Sequence, residues 1–173
     1  HLVHESDRIV SGIYKKPDKP FLNFLKKHIS KDVVRNNKVD KKKVANIIFT
    51  KEKTRKKLEK YIHKEVRISR ENFIKKNKKH KTGVIFLDIP LLFENNLHKN
   101  LDLVISVISS RKQRFNRLKK SKKISKKLFE GILKSQTSDV VRKKYSDIII
   151  YNNSSMEEYL IKVNKTLDKI VKW

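Results

Sequence analysis

The sequence predicts an α/β fold with a doubly wound parallel sheet covered by helices. Three short segments are continuously apolar: residues 84–89, 103–108 and 147–151. Continuous rather than alternating apolarity is typical of parallel strands that are buried on both faces. Helical stretches lie between these segments, and the order strand, helix, strand, helix indicates a doubly wound core.

The N-terminal residues add a fourth candidate strand to this sheet. Leu2 and Val3 are an apolar pair that we interpret as the end of a strand. We therefore assign residues 1–16 and 81–173 to the sheet-containing core.

Residues 17–80 contain no clear strand and are predicted to form an inserted helical lobe. Asp40 is placed to cap a helix that carries Val44, Ile47 and Ile48. A longer amphipathic helix follows, marked by Leu58, Tyr61, Ile62 and Val66.

Two further helical regions belong to the C-terminal half. Residues 111–144 are a lysine-rich stretch whose helices fit a mobile lid that excludes water. Ser155 and Glu158 have the spacing of a capping box for the last helix. Its apolar face is expected to pack against the sheet and consists of Leu160, Val163, Leu167 and Ile170.

Composition excludes several classes of protein. The 173 residues contain no Cys, which excludes disulfides, thiolate metal sites and a cysteine nucleophile. No apolar run approaches the roughly 20 residues that span a bilayer, so we expect a cytoplasmic protein without a membrane partner. The net charge of +27 is compatible with nucleic-acid binding. The basic residues are mostly lysine, whereas specific phosphate recognition favours arginine, so the lysine runs are interpreted as solvated surface.

Polar residues follow the predicted strands at the edge where open α/β sheets bind ligands. Asp7 follows the first strand, Glu94 comes shortly after the second, and Asn152 follows the last. A carboxylate at such a position is suited to orient or deprotonate a substrate hydroxyl. The structural alternative for Asp7 is that it caps a helix beginning near Arg8.

Arginines in the predicted lid indicate an anionic ligand. Arg111, Arg114 and Arg117 recur every three residues and so form one stripe of a helix, with Arg142 downstream. Convergent arginines suit a transferring phosphoryl group, and the alternative is a solvated basic face. The six histidines show no metal-binding spacing, and His63 taken alone is more typical of a structural or half-exposed position.

Several motifs occur together in the order found in one enzyme family, which the chain resembles over nearly its whole length. They are Glu5-Ser6-Asp7, residues 47–49 and 58–63, Asp88-Ile89-Pro90-Leu91-Leu92-Phe93-Glu94, residues 113–117 and 136–142, and Ile150-Tyr151-Asn152-Asn153. On these motifs the sequence resembles the dephospho-CoA kinases. The resemblance implies a P-loop NTPase-like parallel sheet, an inserted CoA-binding lobe and a helical lid.

The resemblance also implies an activity and residue roles. The family transfers the γ-phosphate of ATP, with Mg²⁺, to the ribose 3′-hydroxyl of dephospho-CoA, the last step of coenzyme A biosynthesis. Asp7 matches the general base, Arg117 matches the lid arginine that stabilises the transferring phosphoryl group, and Arg142 matches a second lid arginine. We expect a monomer or a weak homo-oligomer.

Substrate contacts follow from the same resemblance. His63 matches the histidine of the CoA-binding lobe. Leu91, Leu92 and Glu94 would line the acceptor side. Asn152 would lie near the adenine of ATP, and Arg117 would lie near its phosphates.

The sequence departs from the family pattern at a few positions. Glu5 replaces an aspartate, Lys64 replaces a proline, and Ser121 replaces a frequent lid arginine. The 173 residues contain no G-x-x-x-x-G-K-[ST] motif, whose backbone N–H groups and lysine hold phosphates. The first residue is His1, so we expect a fragment that lacks the first strand and P-loop and is inactive by itself.

Two other functions stay open at this stage. One is a basic protein that binds nucleic acid without catalysis, whose affinity would fall steeply with salt. The other is a different nucleoside or nucleotide kinase, which a screen of acceptors would reveal.

Overall fold

The computed structural model describes residues 1–79, 83–120 and 125–171. The chain divides into two compact units, His1–Pro90 and Leu91–Trp173. The expected division into core, lobe and lid follows other boundaries and stays a prediction.

In its described part, the first unit has a parallel strand pair and four α-helices. Strands β1 (Leu2–Glu5) and β4 (Ile85–Asp88) pair in parallel, with Leu2 opposite Ile85 and Glu5 opposite Asp88. Between them lie α1 (Ser6–Lys15), α2 (Lys19–His28), a 3₁₀ turn (Lys31–Val33), β2 (Val34–Arg35), β3 (Lys38–Val39), α3 (Lys41–Thr50) and α4 (Glu52–Asn77).

An apolar cluster holds the helices of the first unit together. Its buried members come from α2, the 3₁₀ turn, α3 and α4, and they are Phe21, Leu25, Val33, Val44, Leu58 and Ile62. The predicted cap of α3 is confirmed, because the Asp40 carboxylate accepts the Lys43 N–H at 3.1 Å. The amphipathic helix predicted around Leu58 and Ile62 is α4, which buries both residues.

The structure departs from the sequence prediction at one place in this lobe. Strands β2 and β3 form a short antiparallel hairpin where no strand was expected. Asn36 and Asn37 make the turn with positive φ angles of 48° and 57°. Asparagine tolerates this left-handed conformation, and two such residues in succession produce a tight hairpin turn.

The described residues of the second unit form another parallel strand pair and four α-helices. Strands β5 (Ile105–Ile108) and β6 (Ile148–Tyr151) pair in parallel, with Ile105 opposite Ile148 and Ile108 opposite Tyr151. A 3₁₀ helix (Leu97–Asn100) precedes β5. The helices are α5 (Arg111–Lys120), α6 (Lys126–Ser135), α7 (Asp139–Lys144) and α8 (Met156–Val171).

Side chains fasten the start of the β5–β6 pair and the start of α8. The Asp147 carboxylate accepts the Val104 N–H at 2.7 Å at the start of the strands. At the start of α8, the Ser155 hydroxyl accepts the Glu158 N–H at 3.2 Å, as the predicted cap requires. Helix α8 contacts β6, but Leu160 is 48% exposed, so part of its predicted packing face remains open to solvent.

Both units therefore combine a parallel strand pair with helices, and the α/β fold class is confirmed. The strands begin one or two residues later than the apolar runs, because the first residues of each run belong to the segment that leads into the strand. Within the described ranges, no helix is both long and apolar enough to cross a membrane.

Candidate active site

Asp7 lies just beyond the carboxyl end of β1, in the first turn of α1. Helix α1 begins at Ser6 with Glu5 at the N-cap position, so the alternative in which Asp7 caps a helix starting near Arg8 is wrong. The side chain of Asp7 is exposed. A carboxylate is favourable in a first helical turn, where backbone N–H groups carry partial positive charge. The first turn of α1 thus fixes the backbone of Asp7, and its carboxylate is exposed to solvent.

His63 lies on α4 and is exposed. Its neighbour Ile62 is buried in the apolar cluster, and Tyr61 stacks against Phe24 with ring centroids 4.4 Å apart. The helical rotation that buries Ile62 turns His63 toward solvent. His63 is therefore available to a ligand rather than committed to the core.

The segment after β4 forms a series of turns that exposes Leu91 and turns Glu94 inward. Leu91 is 41% exposed, and its carbonyl accepts the Asn95 side-chain amide at 2.8 Å. Leu92 is partly buried, and its carbonyl accepts the Leu97 N–H at 3.0 Å. These bonds fix the backbone of the segment within the second unit.

Glu94 is the acidic centre of a polar cluster in the second unit. Its Oε1 accepts the Thr137 N–H at 2.7 Å and lies 3.7 Å from Nη2 of Arg142. Burial alone would raise the pKa of Glu94. The hydrogen bonds from Thr137 and the charge of Arg142 outweigh that effect and hold the pKa below its ordinary value. Glu94 is therefore ionised at neutral pH.

Arg142 shares this cluster with Asp139 and Arg114. Arg142 Nη1 lies 3.6 Å from Asp139 Oδ1, and its side chain is 19% exposed. Arg114 binds the same carboxylate through two bonds, Nη2 to Oδ2 at 2.8 Å and Nη1 to Oδ1 at 3.4 Å. Two arginines thus share one aspartate, and one of them also faces Glu94. We call these four side chains the arginine–carboxylate cluster.

Arg117 lies at a second polar site, at the carboxyl end of β6. Its Nη2 donates to Gln113 Oε1 at 2.9 Å, to Asn152 Oδ1 at 3.0 Å and to the Asn152 carbonyl at 3.2 Å. The predicted phosphate-binding arginine and the predicted adenine neighbour are therefore in direct contact.

Asn153 joins this second site to the start of α5. Its Oδ1 accepts the Ser110 N–H at 2.7 Å, and its carbonyl accepts the Gln113 side-chain amide at 2.6 Å. An open cleft of about 930 Å³ runs along α5, with Ser110, Gln113 and Arg117 among its lining residues. A cleft of this size accommodates a nucleotide-sized ligand.

The predicted arginine stripe is divided among different partners. Arg111 pairs with Glu130, Arg114 with Asp139, and Arg117 with Asn152. Sequence reasoning missed Thr137 as the partner of Glu94 and Asp139 as the partner of Arg114, because contacts across 43 and 25 residues leave no local pattern. Ser121 lies outside the described residues.

Metal-ligating side chains do not form a centre in the described part of the chain. Residues 1–79, 83–120 and 125–171 contain no group of three or more His, Asp or Glu side chains placed to hold an ion. The anion-binding potential of these residues lies in Arg117, Arg142 and the cleft along α5.

Comparison with protein families decides the relationship suggested by the motifs. The family model described as dephospho-CoA kinase matches residues 5–158. The chain belongs to the dephospho-CoA kinase family. This membership confirms the resemblance and the predicted enzyme class, an ATP-dependent phosphotransferase.

Named relatives agree with the family match. A dephospho-CoA kinase of Fusobacterium nucleatum is 35% identical over 172 residues, which cover 97% of this chain and 85% of that protein. A dephospho-CoA kinase of Oceanobacillus iheyensis is 31% identical, covering 96% of this chain and 84% of that protein.

Solved structures support the fold. A dephospho-CoA kinase from Campylobacter jejuni superposes with a TM-score of 0.74 at 23% identity, covering 99% of this chain and 85% of that one. A Thermus thermophilus protein gives the same TM-score at 20% identity, covering 98% and 84%. The chain therefore has the parallel α/β fold of these proteins.

Proposed function

We propose that the protein phosphorylates the ribose 3′-hydroxyl of dephospho-CoA with ATP. The observation that carries this proposal is the family match over residues 5–158, which spans every residue to which we give a role. The exposed carboxylate of Asp7 and the arginines of the second unit supply the two kinds of group that phosphoryl transfer needs.

Asp7 acts as the general base in this proposal. The 3′-hydroxyl oxygen forms a bond to the γ-phosphorus while the bond from the γ-phosphorus to the β,γ-bridging oxygen breaks. The hydroxyl proton passes to the Asp7 carboxylate, and ADP leaves with the electron pair of the broken bond. The exposure of Asp7 supports this role, because its carboxylate can reach a hydroxyl of a bound substrate.

Arg117 and Arg142 stabilise charge on the transferring phosphoryl group. Phosphoryl transfer spreads negative charge over three equatorial oxygens, and a guanidinium matches such a group geometrically. Arg117 uses only Nη2 toward Gln113 and Asn152 among the described residues, which leaves its other donors for phosphate. In this proposal Asn152, held by the same contacts, contributes to binding of the adenine.

His63, Leu91, Leu92 and Glu94 contribute to binding of the acceptor. His63 and Leu91 are exposed and can contact dephospho-CoA directly. Leu92 and Glu94 are partly buried and fix the turn that carries Leu91.

Mg²⁺ enters this proposal as part of the MgATP substrate. Mg²⁺ in kinases is bound largely by phosphate oxygens and water, with one or two carboxylates. The described residues contain no ready-made set of three ligands, so we assign none of them to the ion.

Replacement of Asp7 by Asn tests the proposed base. Asn preserves shape but cannot accept the proton, so kcat should fall about 10²- to 10⁴-fold with little change in KM. The assay follows formation of CoA from dephospho-CoA and ATP, using the protein expressed from its own gene.

Glu71→Gln is the matched control, because Glu71 is an exposed carboxylate on α4 with no proposed role. It should retain wild-type kcat. A kcat for Asp7→Asn within about threefold of wild type would show that Asp7 is not the base. Transfer to other nucleosides, with none to dephospho-CoA, would show that the acceptor is wrong.

A further inference from the structure

We propose that Arg114 is a positioning residue: by binding Asp139 it keeps Arg142 available for the transferring phosphoryl group, and we call Arg114 and Asp139 the positioning pair. The inference rests on the proposed role of Arg142. It adds two residues to the proposed mechanism, and neither of them needs to touch substrate.

The arginine–carboxylate cluster is asymmetric. Asp139 is bound bidentately by Arg114, with a shorter bond of 2.8 Å, whereas its nearest approach to Arg142 is 3.6 Å. Glu94 is likewise 3.7 Å from Arg142. Both distances to Arg142 exceed hydrogen-bond length, so its guanidinium is attracted by two carboxylates but hydrogen-bonded to neither.

Charge explains why Arg114 matters for this arrangement. A bidentate bond between arginine and carboxylate is strong and directional, and Arg114 engages both oxygens of Asp139. Without Arg114, Asp139 would be a carboxylate with no close partner beside Arg142. The two would close into a bidentate pair, because Asp139 and Arg142 are one helical turn apart on α7.

The backbone around Arg142 is fixed independently of these ion pairs. The Ser146 hydroxyl donates to the Arg142 carbonyl at 2.7 Å, and its oxygen lies 2.6 Å from the Ser106 hydroxyl on β5. Before α7, the Thr137 N–H is bonded to Glu94. Changes at Arg114 or Asp139 therefore act mainly on the side chain of Arg142 rather than on the course of α7.

The test compares three variants by kcat and KM. Arg114→Gln frees Asp139 to capture Arg142, so kcat should fall on the order of ten- to a hundredfold, with KM for ATP changed by less than about twofold. Asp139→Asn removes the competing carboxylate and should lower kcat by less than about threefold. The double variant Arg114→Gln/Asp139→Asn should recover to the level of Asp139→Asn, since no carboxylate remains to capture Arg142.

Recovery in the double variant separates positioning from simple stabilisation. If the pair only braces the fold, removing both partners is at least as harmful as Arg114→Gln, and that result would overturn the inference. Wild-type kcat in Arg114→Gln would overturn it as well. Glu130→Gln, which breaks the Arg111–Glu130 pair between α5 and α6, is the control and should keep wild-type kcat.

A crystal structure of Arg114→Gln gives a readout that does not depend on activity. The Arg142 Nη1–Asp139 Oδ1 distance should shorten from 3.6 Å to hydrogen-bond length. An unchanged distance would contradict the capture of Arg142.

Failure of this inference can be distinguished from failure of the proposed function by Arg142→Gln. Low kcat in Arg142→Gln together with wild-type kcat in Arg114→Gln would reject the positioning pair alone. Wild-type kcat in Arg142→Gln would reject the role of Arg142 and with it the positioning pair.

Discussion

The two units of the chain are stabilised in different ways. The first unit, His1–Pro90, buries a contiguous apolar cluster drawn from three helices and a 3₁₀ turn. Among its described residues, the second unit, Leu91–Trp173, buries fewer apolar side chains, and it fastens its helices with the arginine–carboxylate cluster and with serine and asparagine contacts. Hydrophobic burial is non-directional, whereas these polar contacts require fixed geometry.

The candidate site residues of the two units also differ in how much they contribute to packing. Asp7 and His63 in the first unit are exposed and contribute little to its packing. Glu94, Arg117, Arg142 and Asn152 in the second unit each take part in the contacts that hold it together. A change at a site residue should therefore affect activity alone in the first unit, and both activity and stability in the second.

The largest effect on stability is expected from the apolar cluster. Leu25 is 0% exposed, and Leu25→Ala should lower the free energy of unfolding by about 3 kcal/mol through lost burial and a cavity. Urea titration followed by circular dichroism measures this change. In the second unit, Leu160→Ala at a 48% exposed position should change it by less than about 1 kcal/mol. Equal effects would contradict the greater dependence of the first unit on apolar burial.

Glu94 tests whether polar contacts stabilise the second unit. Because its folded-state pKa is lowered, its ionised form adds stability that is present above the ordinary pKa and is lost as pH falls through the folded-state pKa. Glu94→Gln should lower the free energy of unfolding by about 1–2 kcal/mol at pH 7. The difference from wild type should shrink below the ordinary value of 4.5.

Urea titrations at pH 7 and at successively lower pH values measure this difference. Glu157→Gln, at an exposed position of α8, is the matched control and should show no such dependence. A constant difference for Glu94→Gln across the series would mean that the charge of Glu94 does not stabilise the second unit.

His4 is a buried polar residue of the first unit and is expected to have a smaller effect on stability. It is 4% exposed, its Nε2 lies 3.2 Å from the Ser69 hydroxyl, and its ring contacts Phe73. Burial, together with the charge of Arg70, lowers the pKa of His4. The folded state therefore resists protonation, and stability falls as pH drops below the ordinary value of 6.5.

His4→Gln should flatten the fall of melting temperature between pH 7.5 and pH 5.5. The exposed His63 provides the control, and His63→Gln should leave the wild-type slope. A wild-type slope in His4→Gln would assign the dependence to other groups.

Most of the fold could be predicted because its signals are local. The apolar runs around Ile85, Ile105 and Ile148 became the parallel strands, and Asp40 and Ser155 cap helices as their spacing indicated. The hairpin at Asn36 and Asn37 was missed, since two-residue strands leave too short a pattern to read.

The site was less predictable because its contacts join distant parts of the sequence. Arg117 and Asn152 were both singled out, but their hydrogen bond spans 35 residues and no spacing rule links them. Asp139 was not singled out, although it lies between Arg114 and Arg142 and pairs with both. Side-chain pairing of this kind depends on how α5 and α7 pack.

Helix α4 connects the apolar cluster of the first unit with strand β1. Its 26 residues extend about 39 Å at the usual rise of about 1.5 Å per residue. Leu58 and Ile62, in the first half of α4, are buried in the apolar cluster. Ser69 and Phe73, in its second half, contact His4 on β1. Because one helix contacts both places, a ligand that displaces the first half of α4 would also displace β1, the strand that leads into Asp7.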